Sequence, residues 1–217
     1  MISSVKTLKP MKTSMMTPIV IEQTHEGERA YDIYSRLMKD RIIIVGDAID
    51  ERMANEKIAQ LLFLEADNGE EPIHMYINSP GGSVYDALAI VDMMRIVKCP
   101  VRTYCVGSAC SAAALILSGG EKGKRYALPN ARMMIHEVRV FAGGMTGTAT
   151  DLKIEMAEVD FLKEKLATIL SENTGQPYEK VLKDCERNVW MGTEEAKKYG
   201  LIDGNIESRK NGKEKKK

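Results

Sequence analysis

Histidine is scarce: His25, His74 and His136 are the only three in 217 residues. That scarcity argues against a metal site built on imidazoles. Cys99, Cys105, Cys110 and Cys185 form no CxxC pair and show no zinc spacing. They read instead as buried free thiols of a protein kept in a reducing compartment. Lys and Arg balance Asp and Glu at 31 each, so the net charge is zero and nothing in bulk charge points to nucleic acid or an anionic membrane. No apolar run approaches the roughly 18 residues a membrane-spanning helix needs. Residues 1–17 are polar and contain lysine, without the apolar core of a secretory signal. These absences point to a cytoplasmic protein.

What is present is an ordinary globular balance, 44% apolar and 29% charged, in a chain long enough for one well-filled core. Residues 1–17 read as a flexible segment, either a cleaved propeptide or an ordered axial piece, and both remain open. The basic tail at 208–217 reads as a solvated, disordered end rather than a nucleic-acid contact.

Between these ends, strands and helices alternate. Residues 41–46 are a short β-branched run of the kind that forms a buried parallel strand. Asp50 is placed to cap a helix whose apolar positions are Ala54, Ile58, Leu61, Leu62 and Leu64. A second strand at 73–77 stops at Asn78-Ser79-Pro80-Gly81-Gly82, and a helix over 84–97 sets Ala87, Ile90, Val91 and Met94 on one face. A third strand spans 101–106. The helix opened near Ser111 runs to Ser118 and ends at Gly119-Gly120. Short strands at 125–128 and 132–136 flank the Pro129-Asn130 turn. Repeated strand–helix units imply an α/β layered sheet.

The texture changes after His136. A Gly-rich linker at 142–147 is expected to be mobile, and a single long helix follows over 150–171. Leu152, Met156, Val159, Leu162, Leu166 and Leu170 form one apolar stripe, with Ile154, Phe161 and Ile169 on a second. A helix apolar on two sides is usually sandwiched. At a domain edge its second partner is expected to be another subunit.

Serine-based acyl transfer needs a nucleophile, a base, an orienter for that base, and donors for the oxyanion. Ser111 sits among Gly107, Ala109 and Ala112-Ala113-Ala114, as the crowded turn around a nucleophile requires. On its own, a serine in such a run more often packs a helix than attacks a carbonyl. A lone His136 at a strand end is likewise more often structural than a base. The Pro80-Gly81-Gly82 turn exposes N–H groups suited to an oxyanion, though taken by itself such a segment is more often a plain tight turn.

Several motifs together resemble the ClpP family, the proteolytic subunits of ATP-dependent Clp proteases. They are residues 18–24, Gly27-Glu28-Arg29, 32–37, Ile77-Asn78-Ser79-Pro80-Gly81-Gly82, 122–130 and Met134-Ile135-His136. The likeness runs from about Pro18 to Ile206, so residues 18–207 are expected to form one peptidase domain with a handle at about 137–172. The resemblance implies a ClpP/crotonase-like α/β fold of repeated ββα units with a protruding handle helix. It further implies a tetradecamer of two stacked heptameric rings, and an AAA+ unfoldase that consumes ATP and delivers unfolded polypeptides. Ser111 falls on the family nucleophile, His136 on the base and Asn188 on the position of the triad acid. Gly82 and Ala112 fall on the oxyanion donors, and Glu186 and Arg187 on the inter-ring contact. Tyr76 lies in the strand that contributes to the unfoldase-docking surface. No metal or organic cofactor is implied.

Three departures stand out. Asn188 replaces the usual acid; it can orient an imidazole but offers no charge to an imidazolium. It therefore implies a weak peptidase, one activated by a second ClpP paralogue in mixed rings, a disabled site, or a substitute acid such as Asp184 one helical turn away. Ala112-Ala113 follows the nucleophile where the family usually has Met-Gly, which changes the pocket lining more than the chemistry. After His136 comes Glu137-Val138-Arg139 rather than Gln-Pro, with a slightly longer loop, in the segment that lines the substrate groove. A rival from another class, an acyl-CoA hydratase or isomerase on the crotonase fold, would need two glutamates at the Gly-rich turn. Nothing in the sequence places them there.

Overall fold

The computed structural model describes residues 17–25, 27–140 and 146–207. The expected N-terminal segment (apart from Thr17), most of the 142–147 linker and the basic tail lie outside the described residues.

The chain first forms a hairpin that the sequence reading had not assigned. Strands β1 (Ile19–Thr24) and β2 (Gly27–Asp32) pair antiparallel, and Asp32 then caps helix α1 (Ile33–Lys39) by accepting from the N–H groups of Tyr34 and Ser35. Three βα steps follow: β3 (Ile42–Val45) with α2 (Glu51–Asp67), β4 (Ile73–Ser79) with α3 (Val84–Ile96), and β5 (Val101–Cys110) with α4 (Ala112–Ser118). Asp50 caps α2 through the Met53 N–H as expected, and Ser83 caps α3 through that of Asp86.

Burial along α2 differs from the apolar pattern in the sequence. Ala54, Leu61 and Leu64 are buried together with the Lys57 stem, whereas Leu62 and its neighbour Phe63 face outward, 47% and 57% exposed. On α3 the anticipated Ala87, Ile90, Val91 and Met94 do form the buried face.

The seven-stranded sheet runs β3-β4-β5-β6-β9, with β6 (Arg125–Ala127) and β9 (Gly204–Asn205) completing a parallel path. Strand β5 is longer than expected because it serves two neighbours on one edge. Thr103 to Cys105 pair with β6, and Ser108 to Cys110 pair with β7 (Arg132–Ile135). Gly107, at φ +88°, sits between the two segments, where a Cβ would lie 2.6 Å from Asn78 Oδ1. β8 (Val189–Met191) then adds antiparallel to β7. Residues of β4 alternate strictly: Ile73, Met75, Ile77 and Ser79 are buried, while His74 and Tyr76 lie on the half-covered face. There Tyr76, Tyr104 and Tyr126 stack across three strands.

Helix α5 (Ala149–Thr174) begins with a Thr148–Asp151 capping box and ends at Gly175 in the left-handed conformation. Only its second half enters the core, through Leu162, Ala167, Ile169 and Leu170. Its first half projects with Ile154 and Met156 exposed, and Phe161 at the boundary is 58% exposed. Helices α6 (Tyr178–Cys185) and α7 (Thr193–Tyr199) complete the described residues. Arg125, itself buried, binds Asp203 and the carbonyls of Ser118 and Asn173, which ties α4, α5 and the segment leading into β9 together.

Candidate active site

The β5–α4 junction carries an unusual backbone. Ser111 has φ +56° and ψ −126°, a conformation that costs a non-glycine residue about 1–3 kcal/mol. It is held there from both sides: the Ser111 N–H donates to the Met134 carbonyl at 2.7 Å, and its own carbonyl accepts the Ala114 N–H at 2.9 Å. All seven residues of α4 are buried, so the helix that starts at Ala112 is fixed in the core. The sharp turn at the end of a strand lifts the serine side chain out of that core, as a nucleophile position requires.

Against this turn lies the Pro80-Gly81-Gly82 segment. Gly81, at φ +92°, approaches so closely that a Cβ would sit 2.5 Å from the Cys110 carbonyl and 2.8 Å from Ser111 Cβ. Gly82 bridges Ile49: the Gly81 carbonyl accepts the Ile49 N–H and the Ser83 N–H donates to the Ile49 carbonyl. In such a bridge the N–H of Gly82 itself points away from Ile49. Ala112 is the first residue of α4, so its N–H has no intrahelical acceptor. Neither N–H is bonded to any described group. Ser79 staples the turn from beneath, donating to the Asp47 carbonyl at 2.5 Å while accepting the Gly81 N–H at 3.1 Å. The sequence reading names Gly81 only as part of the turn that exposes N–H groups and gives no separate role to Ser79.

Ser111, Gly82, Ala112 and His136 line one cavity of about 410 Å³. Its walls are mainly aliphatic, among them Val84, Leu115, Met134, Leu166 and Leu170. Beyond His136 the lip is charged, with Glu137 paired to Lys163 of α5 at 3.1 Å. Burial lowers the pKa of His136, and the Arg139 charge lowers it further, which favours the neutral imidazole a base requires. Among the described residues no hydrogen bond joins Ser111 Oγ to His136. His136 Nδ1 is buried without a partner.

The expected link from Asn188 to His136 is not made in this structure. The β7–β8 register pairs Ile135 with Val189, and continuing it one step sets His136 opposite Asn188. Directly opposed residues have Cβ atoms only about 5 Å apart, so the position suits an orienter. Yet Asn188 is exposed, and its Oδ1 accepts from the Arg139 guanidinium. The physical reason is the cation three residues past His136, a charged donor competing for the same acceptor. Asp184 is no substitute here: it is ion-paired to Lys180 at 2.6 Å. Glu186 and Arg187 lie exposed just beyond α6, beside Asn188. The described residues contain no cluster of three or more His, Cys, Asp or Glu able to hold a metal, and no helix long and apolar enough to cross a membrane.

Comparison with known proteins agrees with this architecture. A family model described as Clp protease matches residues 25–209. The chain is 52% identical to an ATP-dependent Clp protease proteolytic subunit of Bdellovibrio bacteriovorus, covering 93% of the chain and 96% of the relative. It is also 52% identical to proteolytic subunit 1 of Chlamydia felis, covering 92% and 97%. Identity to proteolytic subunit 2 of Chlamydia pneumoniae is 53%, covering 90% and 95%. With the matched region spanning the sheet, the strained serine turn and the handle helix, the chain belongs to the Clp protease family.

Proposed function

We infer that the chain is the proteolytic subunit of an ATP-dependent Clp protease, a serine endopeptidase acting on unfolded polypeptides. The observation that carries this reading is the strained backbone of Ser111, set beside a glycine turn and a half-buried histidine in one apolar groove. Ser111 Oγ attacks the scissile carbonyl while His136 takes its proton. The N–H groups of Gly82 and Ala112 receive the oxyanion, and His136 delivers the proton to the leaving amine. Water, activated by the same imidazole, then hydrolyses the acyl ester. Asn188 serves as orienter of His136 when its carboxamide is free. The chemistry calls on no metal ion or organic cofactor, and ATP is consumed by the partner.

Assembly follows from the same reading. The apolar residues exposed on the projecting half of α5, Ile154 and Met156, suit a helix packed against a second copy. Glu186 and Arg187 would pair across the interface between two stacked heptameric rings. An AAA+ unfoldase would dock over the apolar depression around Ile42, Ile44 and Tyr76. The location is cytoplasmic. The alternative, a regulatory paralogue working only in mixed rings, is not favoured, because the relatives are themselves named proteolytic subunits. A short fluorogenic peptide tests the reading: turnover that disappears in Ser111→Ala supports it, and turnover that survives the substitution refutes it.

A further inference from the structure

Arg139 has no role in the proposed reaction, yet it bonds Asn188, the residue given the task of orienting His136. Three observations converge on it. Extended one step past its last pair, Ile135 with Val189, the strand register brings Asn188 opposite His136, within reach of an orienting role. His136 Nδ1 is nonetheless buried with no partner. And the acceptor atom, Asn188 Oδ1, is taken by the Arg139 guanidinium. Leaving a buried ring nitrogen unpaired is unfavourable, and the donor found on the carboxamide in its place is the Arg139 guanidinium. Arg139 is a strong competitor because it is charged and has several N–H groups, and no carboxylate pairs with it among the described ion pairs. It also lines the same cavity as Ser111 and His136.

We propose that Arg139 is a positioning residue that withholds Asn188 from His136, so that the subunit becomes productive when the Arg139–Asn188 bond opens. The proposal rests on the peptidase reading of Ser111 and His136 given above. With the bond open, the Asn188 carboxamide rotates and Oδ1 accepts from His136 Nδ1–H. That bond fixes the tautomer that leaves the other ring nitrogen free to take the Ser111 proton. The neutral amide of Asn188 makes this competition possible, since it offers neither donor a charge.

The test uses the full chain in its assembled form, with Arg139→Ala, Arg139→Lys, Asn188→Ala and the Arg139→Ala/Asn188→Ala pair. Peptide hydrolysis is measured as kcat and KM separately, and crystal structures are determined for the wild type and Arg139→Ala. Arg139→Ala is expected to raise kcat about tenfold with KM little changed, the effect of one well-aligned hydrogen bond. Arg139→Lys, which keeps a cationic donor, stays within a few-fold of the wild type. In the Asn188→Ala background the gain vanishes, since there is no carboxamide left to release. In the crystal, Asn188 Oδ1 should move to hydrogen-bond distance of His136 Nδ1. An Arg139→Ala variant with unchanged or lower kcat overturns the proposal, as does an equal gain without Asn188 or a carboxamide that stays away from His136. If no variant shows Ser111-dependent turnover, the peptidase reading fails, and the position of the Asn188 carboxamide alone decides whether Arg139 withholds it.

Discussion

Replacing Asn188 with a carboxylate is the most informative single change at the site. Carried one step past its last pair, Ile135 with Val189, the β7–β8 register sets His136 opposite Asn188, a placement for which cross-strand side-chain separations run about 5 Å. Two unit charges at that distance, with an effective dielectric of about 20, attract by about 3 kcal/mol. Asn188 is exposed, so solvent and salt screening reduce the useful part to about half. The Arg139 cation beside it offsets the remainder in part. A net of about 1 kcal/mol favouring the imidazolium formed in the transition state corresponds to about a fivefold rise in kcat. Asn188→Asp should therefore raise peptide turnover about fivefold and move the acid limb of its pH profile upward by about 0.7 of a unit. The assay is steady-state hydrolysis across pH 5–9 (about that range spans His titration), with Ser111→Ala as background and assembly checked by light scattering. Unchanged turnover in an intact assembly, or an acid limb that stays put, would refute the role given to this position.

Other consequences can be checked separately. Because burial, then the Arg139 charge, hold His136 below its ordinary value, the wild-type acid limb should lie under pH ~6.5. Titrating kcat/KM reads this, and a limb above that value contradicts it. Asp203→Asn should cost about 3 kcal/mol in denaturant unfolding, since it leaves buried Arg125 without its carboxylate. Burial raises the Asp203 pKa, but the Arg125 bonds outweigh that and hold it low. Its stabilisation is thus present above pH ~4 and lost as pH falls further, so the variant and wild type should converge in acid. Gly81→Ala should abolish turnover while the fold largely survives, because a Cβ there drives into the Ser111 turn. A variant with wild-type kcat would show that the close approach is not needed.

Much of this architecture was legible in the sequence. The apolar runs gave β3, β4 and the start of β5, the cap at Asp50 was anticipated, and the apolar face read on α3 turns inward; the Ser83 cap was not read. The two apolar stripes read on α5 do not sort by burial: Ile154 and Phe161 are exposed while Ile169 of the same stripe is buried, and Met156 of the other is exposed, because burial follows which half of the helix meets the core. The β1–β2 hairpin escaped because Ile19 and Ile21 are 71% and 67% exposed, so no buried face sets an alternation to read. Strands of two or three residues such as β8 and β9 carry too few positions for any period. Leu62 misled for a different reason: helical spacing marks a side chain as apolar without saying which surface covers it. At the site, Ser111, Gly82 and His136 were visible as residue types, and the fold brings them to one groove. The Arg139–Asn188 bond spans 49 positions and exists only through the β7–β8 register. No local pattern in the sequence encodes it.

Labelling of Ser111 by a serine-directed phosphonate, located by mass spectrometry of the digested protein, tests the nucleophile without assuming any substrate. Reaction should be confined to Ser111, be faster in the assembled protein than in isolated subunits, and disappear in His136→Ala. Labelling elsewhere, or equal labelling of Ser111 with and without His136, would contradict a serine activated by that imidazole.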